Sequence, residues 1–317
     1  MKQLVKGLHH ITGLASSAQK NFDFYAGILG LRLVKKTINF DAPEVYHLYY
    51  GNEVGAPGTI MTFFPYEGLS QGKKGKGQLT VTAFSVPADS FEYWMKRLNK
   101  FKISFESPKK RFDEQFIYLE DFDGTGLELV ANDRDSRPAY PKSHVPSEFG
   151  IKGFYSITLS EEGFEKTAAL LTKQLNFRLI GESANRFRFT TDGKPGNFAD
   201  ILCSPDTLRG LPGAGTIHHV AFATDNDNTQ VEARHEIVNA GLNVTPVIDR
   251  EYFHSIYFRE PGGVLFEIAT LPPGFSVDEA TEHLGETLKL PPWMEKHRGN
   301  IERSLANINS DLTRFED

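Results

Sequence analysis

The feature that most constrains the fold is a pattern of one helix and four strands that recurs four times along the chain. The first copy begins at Leu8 with the strand LHHITGL, continues with the helix pattern NFDFYAGILGL, and closes with the strands LRLVKKTI, VYHLYYG and TIMTFF. The other copies begin at Leu79, Gly153 and Ile217. Internal repetition indicates stacked or paired modules, and short runs of β-prone residues predict strands. We therefore expect an α+β fold of four βαβββ modules that pair into two cup-like open barrels.

The modules also suggest a division into domains. Modules one and two are expected to form a first domain (residues 1–140), and modules three and four a second (150–271). Between them lies NDRDSRPAYPKSHVPSEFG, a polar stretch with prolines that is typical of a linker. Residues 272–317 are expected to form a helical tail. In that tail Ser276 and Glu279 have the spacing of a capping box, and a further helix is predicted from Trp293 to Ile308.

Composition argues against several classes of function. The chain of 317 residues has a formal net charge of −6, so it offers no basic field for a phosphate backbone, and nucleic acid is not an expected partner. Its single cysteine, Cys203, cannot form a disulfide within the chain, and MKQLVKGLHH lacks the apolar core of a signal peptide. The expected location is the cytoplasm. No stretch reaches the roughly 18 apolar residues of a membrane span, so no membrane association is expected, whereas assembly into a homo-oligomer is left open.

Two pairs of histidines occupy equivalent strands of modules one and four, in GLHHITGLAS and TIHHVAFAT. Alternate residues of a strand face opposite sides of a sheet, so one member of each pair points into the cup. Ile11, Val220 and Phe222 suit the side that packs on helices, which leaves His10 and His219 on the cup side. A lone strand histidine is usually satisfied by a backbone carbonyl, but the repeated placement favours a shared metal ion.

The last strand of module four supplies a third candidate ligand. In GVLFEIAT, Glu267 faces away from Phe266 and Ile268, and a carboxylate in an apolar strand is costly without a partner. Counting six residues from the preceding Pro-Gly turn places Phe63 at the matching position of module one. Asp200, one residue short of that position in module three, is expected at a strand surface. Glu128 of module two is expected as a strand-end carboxylate near solvent.

Two histidines and one carboxylate leave coordination positions open for substrate and oxygen, an arrangement typical of non-haem Fe(II) oxygenases. A lyase or isomerase of the same architecture would need a fourth protein ligand on module one, where Thr62 and Phe63 stand instead. His10 and Glu267 can meet only if modules one and four share a cup. Modules two and three are then expected to form the second cup, without a metal.

The repeats and the segment FYAGILGL resemble the vicinal oxygen chelate superfamily, which includes glyoxalases and extradiol dioxygenases. Within it, GLHHITG, GLRLVKKTINFD, YHLYYGN, PGTIMTFFP, IHHVAFA and EPGGVLFEIAT resemble bacterial dioxygenases that cleave the ring of hydroquinones. The resemblance spans nearly all of modules one and four and is weaker between them. It implies a ring-cleaving dioxygenase in which His10, His219 and Glu267 hold Fe(II), with Mn, Zn or Ni as substitutes in purified protein. The partners it implies are a small aromatic substrate and O2.

The resemblance also implies that His9, Thr12, His218, Arg250 and Tyr257 line the site. Strand alternation agrees for Thr12 and Tyr257, but it turns His9 and His218 away from the metal. Either a bulge at the strand start brings these two histidines to the rim, or they are ordinary helix-side residues. The alternative for Arg250 is a surface salt bridge with Asp249 or Glu251.

Other interpretations remain open at this stage. A glyoxalase-like lyase or isomerase would share the fold. A thiol transferase of the same superfamily is disfavoured because no motif resembles a dedicated thiol site, and a non-catalytic module that binds an aromatic compound would need no metal. The sequence does not distinguish a para-hydroquinone from a catechol as substrate. Lys35 and Lys36 are expected at a solvated strand edge.

Overall fold

The computed structural model describes residues 3–316, which form sixteen strands and five α-helices. The strands are β1 (Leu8–Ala15), β2 (Arg32–Asn39), β3 (Ala42–Gly51), β4 (Ile60–Pro65), β5 (Gln78–Val86), β6 (Lys109–Arg111), β7 (Glu114–Glu120), β8 (Gly126–Ala131), β9 (Gly153–Glu161), β10 (Arg178–Ser183), β11 (Arg186–Thr190), β12 (Phe198–Cys203), β13 (Ile217–Thr224), β14 (Ile248–Asp249), β15 (Phe253–Arg259) and β16 (Leu265–Pro273). The helices are α1 (Ala18–Phe22), which continues as a π-helical turn over Asp23–Ile28, α2 (Phe91–Lys100), α3 (Glu165–Lys173), α4 (Asp227–Asn239) and α5 (Arg298–Ser304). The order of these elements confirms four βαβββ modules.

The strands form two curved eight-stranded sheets. Sheet one has the order β14-β15-β16-β13-β1-β4-β3-β2, and sheet two has the order β10-β11-β12-β9-β5-β8-β7-β6. Modules one and four therefore share sheet one, joined by the antiparallel pair β1 and β13, and modules two and three share sheet two through β5 and β9. This is the pairing that the positions of His10 and Glu267 predicted. The division of the chain into domains at residues 140–150 remains a prediction. Each of the two sheets contains strands from both sides of that boundary.

The two faces of sheet one belong to different cores. Ile11, Val220 and Phe222 are fully buried in the large cluster that packs with the helices. Ala221 lies in a separate cluster with Tyr49 on the cup side. The face assignment made from strand alternation is therefore correct for these residues. None of the helices within residues 3–316 has the length and apolar character needed to cross a membrane.

The tail after β16 differs from the sequence-based expectation. Ser276 lies in a 3-10 turn (Phe275–Val277) rather than at a helix N-cap, and the Glu279 carboxylate accepts a hydrogen bond from Lys35 at 2.7 Å. Lys35 is fully buried and also contacts Asp278 at 2.6 Å, so its placement at a solvated edge was wrong. The helix predicted near the C-terminus is shorter, α5 alone, with a 3-10 turn before it.

The tail covers the edge of sheet one. The backbone N–H of Lys289 donates to the carbonyl of Lys36 on the outer strand β2 at 2.9 Å. An exposed sheet edge is a template for unwanted strand pairing. The buried ion pairs of Lys35 hold the tail on this edge, next to the cup that modules one and four form.

Two buried glutamates meet where β9 of sheet two approaches the turn before β16. Glu260 accepts hydrogen bonds from Thr167 Oγ1 at 2.5 Å and from the backbone N–H groups of Gly262 and Val264, both at 2.7 Å. Glu161 is fully buried, and within residues 3–316 neither of its carboxyl oxygens has a hydrogen-bond partner. Burial, with the nearby Glu260 charge, raises the pKa of Glu161 to about 8. We therefore expect Glu161 to retain its proton in the folded protein at neutral pH.

This raised pKa predicts a loss of stability with rising pH. The folded state binds one proton more than the unfolded state between the ordinary Glu pKa of 4.5 and a pKa of about 8, so its stability falls as pH rises through that window. Glu161→Gln removes this titration. We expect the variant to lose less unfolding free energy than the wild type between pH 5 and pH 8, by at least about 1 kcal/mol. Urea denaturation of both proteins at pH 5 and pH 8 measures these unfolding free energies.

The matched control for that experiment is Glu162→Gln, because Glu162 is the next residue, is exposed, and only approaches Lys76 at 3.3 Å. The Glu162 variant should follow the wild-type pH dependence. Equal slopes for the Glu161 variant and the wild type would show that Glu161 is ionised at neutral pH.

Candidate metal centre

Three buried side chains from adjacent central strands of sheet one converge in the cup. His10 lies on β1, His219 on β13 and Glu267 on β16. Glu267 Oε2 lies 3.0 Å from His219 Nε2 and 3.3 Å from His10 Nε2, and the two Nε2 atoms are 3.3 Å apart. Among the described residues this is the one group of three or more His, Cys, Asp or Glu side chains arranged to hold a metal ion.

The charges of these groups suit metal ligands. Burial raises the pKa of Glu267, but the adjacent His10 and His219 lower it by more, so the net pKa lies well below its ordinary value. Burial also lowers the pKa of His219. An anionic carboxylate beside a neutral imidazole is the form in which both side chains bind a cation.

The donor atoms themselves fit a divalent cation. Glu267 Oε1 accepts a hydrogen bond from Ser255 Oγ, whereas Oε2 receives none from a hydroxyl or backbone group in residues 3–316. Ligand atoms about 2.1 Å from a metal lie about 3 Å apart when they occupy neighbouring octahedral positions. The three observed separations are close to that value. The three donor atoms thus lie around one point, and His10 and His219 also line a cavity.

Two β-bulges place the remaining histidines against these candidate ligands. Between β1 and β13 the register shifts at His9 and again at His218, so each of these residues is the extra one on its strand. His9 Nδ1 lies 2.9 Å from His10 Nδ1, and His218 Nδ1 lies 2.8 Å from His219 Nδ1. Both His9 and His218 therefore lie in β-bulges, and their directions do not follow simple strand alternation. Each candidate ligand is oriented by the histidine that precedes it, as outer hydrogen-bond partners commonly orient metal-bound imidazoles.

Burial keeps both supporting histidines neutral. It lowers the pKa of His9 to about 3 and that of His218 to about 4, with the neighbouring histidine as a further cause in each case. His9 is completely enclosed beside Phe253, whereas the His218 ring is surrounded mostly by protein but keeps part of its surface accessible in the cavity. His9 and His218 thus make equivalent hydrogen bonds, but His9 lies against Phe253 and His218 lies against the cavity.

Loss of such a supporting histidine should weaken metal binding. We expect His218→Ala to lower the affinity of the metal-free protein for Mn(II) or Zn(II) by about 10- to 100-fold, because His219 loses the partner of its Nδ1. Calorimetric titration with the metal alone measures this. His254→Ala is the control, because the His254 ring contacts exposed Asp227 at 2.6 Å instead. An unchanged affinity in the His218 variant would contradict the supporting role.

The cavity beside the three candidate ligands has a volume of about 500 Å³. Arg250 and Tyr257 lie on its wall, and Arg250 Nε donates a hydrogen bond to the Tyr257 hydroxyl at 3.2 Å. Burial and the Glu267 charge raise the pKa of Tyr257 well above its ordinary value, so the phenol keeps its proton. Arg250 Nη1 also contacts Asp41 of module one at 3.1 Å, and not Asp249 or Glu251, so the guanidinium spans the cup.

Thr12 lies beneath the cavity rather than on its wall. It is fully buried, and its hydroxyl is 3.2 Å from that of Thr62, which in turn is 2.6 Å from His47 Nε2. His47 Nδ1 is 2.8 Å from the Tyr49 hydroxyl, and both side chains line the cavity. Sequence reasoning missed His47 and Tyr49. Their signal is alternation in VYHLYYG, which places both on the cup face of β3.

The strand registers show which residue of module one matches Glu267. Glu267 pairs with Ala221, two residues after His219, and with Tyr257. Thr62 pairs with Thr12, two residues after His10, and with Tyr49. Thr62, and not Phe63, therefore occupies the position equivalent to Glu267. The count from the turn was one residue out because module four has Gly262 and Gly263 after its proline, whereas module one has Gly58 and Thr59.

The second cup has carboxylates at the same position but no histidines. Glu128 pairs with Ala83 and Asp200 with Thr158, so both match Glu267 by register. Val81 and Ser156 stand where the histidines would be, two residues earlier on β5 and β9. The expectation that Glu128 and Asp200 are solvated was wrong, because both are buried.

Arginines partner these two carboxylates. Arg111 binds Glu128 through two hydrogen bonds of 2.9 and 2.7 Å. Arg188 binds Asp200 at 2.7 and 2.8 Å, and Glu114 at 2.6 and 2.9 Å. Bidentate arginine pairs compensate the cost of burying a carboxylate. Guanidinium groups thus supply the positive charge at the centre of the second cup.

Comparison with known proteins agrees with this architecture. Residues 7–129 and 87–268 match the model of the Glyoxalase/Bleomycin resistance protein/Dioxygenase superfamily. The chain is 45% identical to the protein named "Putative ring-cleaving dioxygenase MhqO" of Bacillus subtilis (strain 168), over 96% of this chain and 97% of that one. It is 34% identical to chlorohydroquinone/hydroquinone 1,2-dioxygenase of Sphingobium indicum, over 96% of this chain and 97% of that one.

Solved structures show the same fold. A crystal structure titled "putative dioxygenase" from Bacillus subtilis superposes with a TM-score of 0.92 at 44% identity, over 97% of this chain and 98% of that one. Glyoxalase I from Zea mays superposes with a TM-score of 0.64 at 13% identity, over 83% of this chain and 92% of that one, which shows the fold alone. The chain belongs to the Glyoxalase/Bleomycin resistance protein/Dioxygenase superfamily, as its repeats and motifs predicted.

Proposed function

We propose that the protein is an Fe(II)-dependent ring-cleaving dioxygenase that acts on a hydroquinone-type aromatic diol and inserts both atoms of O2. The observation that carries the proposal is the set of three donor atoms, from His10, His219 and Glu267, beside an open cavity of about 500 Å³. Such a facial set leaves coordination positions for substrate and oxygen. The names of the relatives that cover nearly the whole chain, among them a hydroquinone 1,2-dioxygenase, support the same reaction class.

Bound at this position, Fe(II) would favour loss of the substrate hydroxyl proton and pass electron density from the aromatic ring to O2. The other contributions come from the chain. The ring is held between apolar side chains of the cavity, which include Leu14, Phe64 and Leu265 and keep water away from it. Tyr257 keeps its proton and so offers a hydrogen bond to an oxygen atom at the site.

His218 contributes a second donor. Metal ligation through His219 Nε2 would leave the hydrogen on His219 Nδ1, which then donates to His218 Nδ1 at 2.8 Å. Because His218 is neutral, its own hydrogen lies on Nε2. That N–H, on a side chain exposed in the cavity, can orient a substrate oxygen. Arg250 adds a fixed positive charge beside Tyr257.

The lyase or isomerase alternative lacks its fourth ligand. Thr62 stands at the position equivalent to Glu267, and its hydroxyl is engaged by His47. No carboxylate of module one occupies that position, so the geometry favours the oxygenase.

Oxygen uptake by protein reconstituted with Fe(II) without air tests the proposal. Methylhydroquinone and catechol are supplied side by side, and His219→Ala is the control. We expect about one O2 consumed per hydroquinone, with loss of uptake in the variant. Protein with stoichiometric bound iron that consumes no O2 with either substrate would contradict the proposal.

A further inference from the structure

A second cavity lies behind the candidate metal centre, on the side of His9. Its volume is about 260 Å³. Its wall is mostly apolar and includes Val54, Ile60, Phe253, Leu271, Phe275 and Leu284. Apolar cavities offer water few hydrogen-bond partners, and they bind small apolar molecules instead.

This rear cavity has its own opening to solvent. Val54 and Leu271, on its wall, are 48% and 37% exposed, and Ser276 beside them is also exposed. The opening is therefore rimmed by Val54 from the turn before β4, Leu271 near the end of β16 and Ser276 from the tail. The larger cavity, by contrast, has Arg250, Asp41 and Asn39 among its lining residues.

One aromatic side chain separates the two cavities. Phe253 lines both of them and is itself buried. Its ring centroid lies 5.0 Å from that of His10 and 5.1 Å from that of His9. Only the Phe253 ring thus separates a small molecule in the rear cavity from the candidate metal ligand His10.

We propose that the rear cavity binds dioxygen and is its route to the metal centre. The Phe253 side chain is the gate between the rear cavity and the larger one. This inference rests on the proposed function. An aromatic diol in the larger cavity occupies the polar approach to the three ligands, so the rear is the side that the diol does not fill. Dioxygen is small and apolar, so it partitions into the apolar cavity, whereas the diol needs the polar groups of the larger one.

Xenon binding to the metal-free protein tests the site without any turnover. Ser276→Trp places an indole at the opening, and Val277→Trp is the matched control because Val277 is 53% exposed and does not line the cavity. Val54→Trp closes the opening from the other side and serves if Ser276→Trp does not fold. We expect xenon in the rear cavity of the wild type and of the Val277 variant, and slower entry of xenon into the cavity of the closed variants. A wild-type cavity without xenon would overturn the proposal.

Steady-state kinetics of the Fe(II)-loaded protein test the route. Closing the opening should raise the KM for O2 severalfold and leave the KM for the diol unchanged, and Val277→Trp should change neither. Wild-type turnover together with an unchanged KM for O2 in the closed variants would overturn the dioxygen route and leave the proposed function standing. A wild type that consumes no O2 would instead overturn the proposed function, and the route with it.

Discussion

Glu267→Gln is expected to bind divalent metal at least about 100-fold more weakly than the wild type and to lose O2 uptake. The substitution keeps the shape of the side chain but removes the only negative charge among the three donor groups. In the wild type, Glu267 Oε2 lies 3.0 Å from His219 Nε2. Calorimetric titration of the metal-free protein with Mn(II) measures the affinity.

The chain offers a matched control for this variant in its second cup. Glu128 has the same register position, but Arg111 binds it through two hydrogen bonds. Glu128→Gln should therefore leave metal affinity unchanged and lower the unfolding free energy, because Arg111 stays buried without its anionic partner. Equal metal affinities of the Glu267 variant and the wild type would contradict the assignment of Glu267 as a ligand.

Thr62→Glu is the second variant with a large expected effect. The register places a carboxylate there opposite Glu267, which would give four protein ligands and fill a position that the open site keeps for substrate or oxygen. We expect metal to bind more tightly and O2 uptake to fall by at least about 100-fold. Titration with Mn(II) and oxygen uptake measure the two effects separately.

Thr62→Val is the control for that substitution. It keeps the branched shape and removes the hydroxyl that contacts His47 and Thr12, without adding a ligand. Its metal affinity should equal that of the wild type. A Thr62→Glu protein that binds metal no more tightly and still consumes O2 would show that Thr62 does not face the metal.

The fold and the three candidate ligands could be predicted from sequence because both depend on local patterns. Each module repeats the same order of strands and helix, and strand alternation fixes which face of β1 and β13 carries His10 and His219. The joint placement of modules one and four followed from one requirement, that His10 and Glu267 meet.

The remaining features depend on pairing between distant segments. The bulges at His9 and His218 are properties of the β1–β13 register, which alternation within one strand does not contain. Glu128 and Asp200 are buried because arginines from β6 and β11 reach them. Lys35 is buried because the tail returns Asp278 and Glu279 to it across more than two hundred residues. In each case the local sequence shows a polar or charged side chain but not its partner.

Reaction of the Fe(II)-loaded protein with methylhydroquinone under dioxygen labelled with oxygen-18 tests the central claim most directly. Mass spectrometry of the ring-opened product should find both labelled atoms in it for the wild type, and no such product for His219→Ala. A product that carries one labelled atom or none would contradict ring cleavage by a dioxygenase at the centre formed by His10, His219 and Glu267.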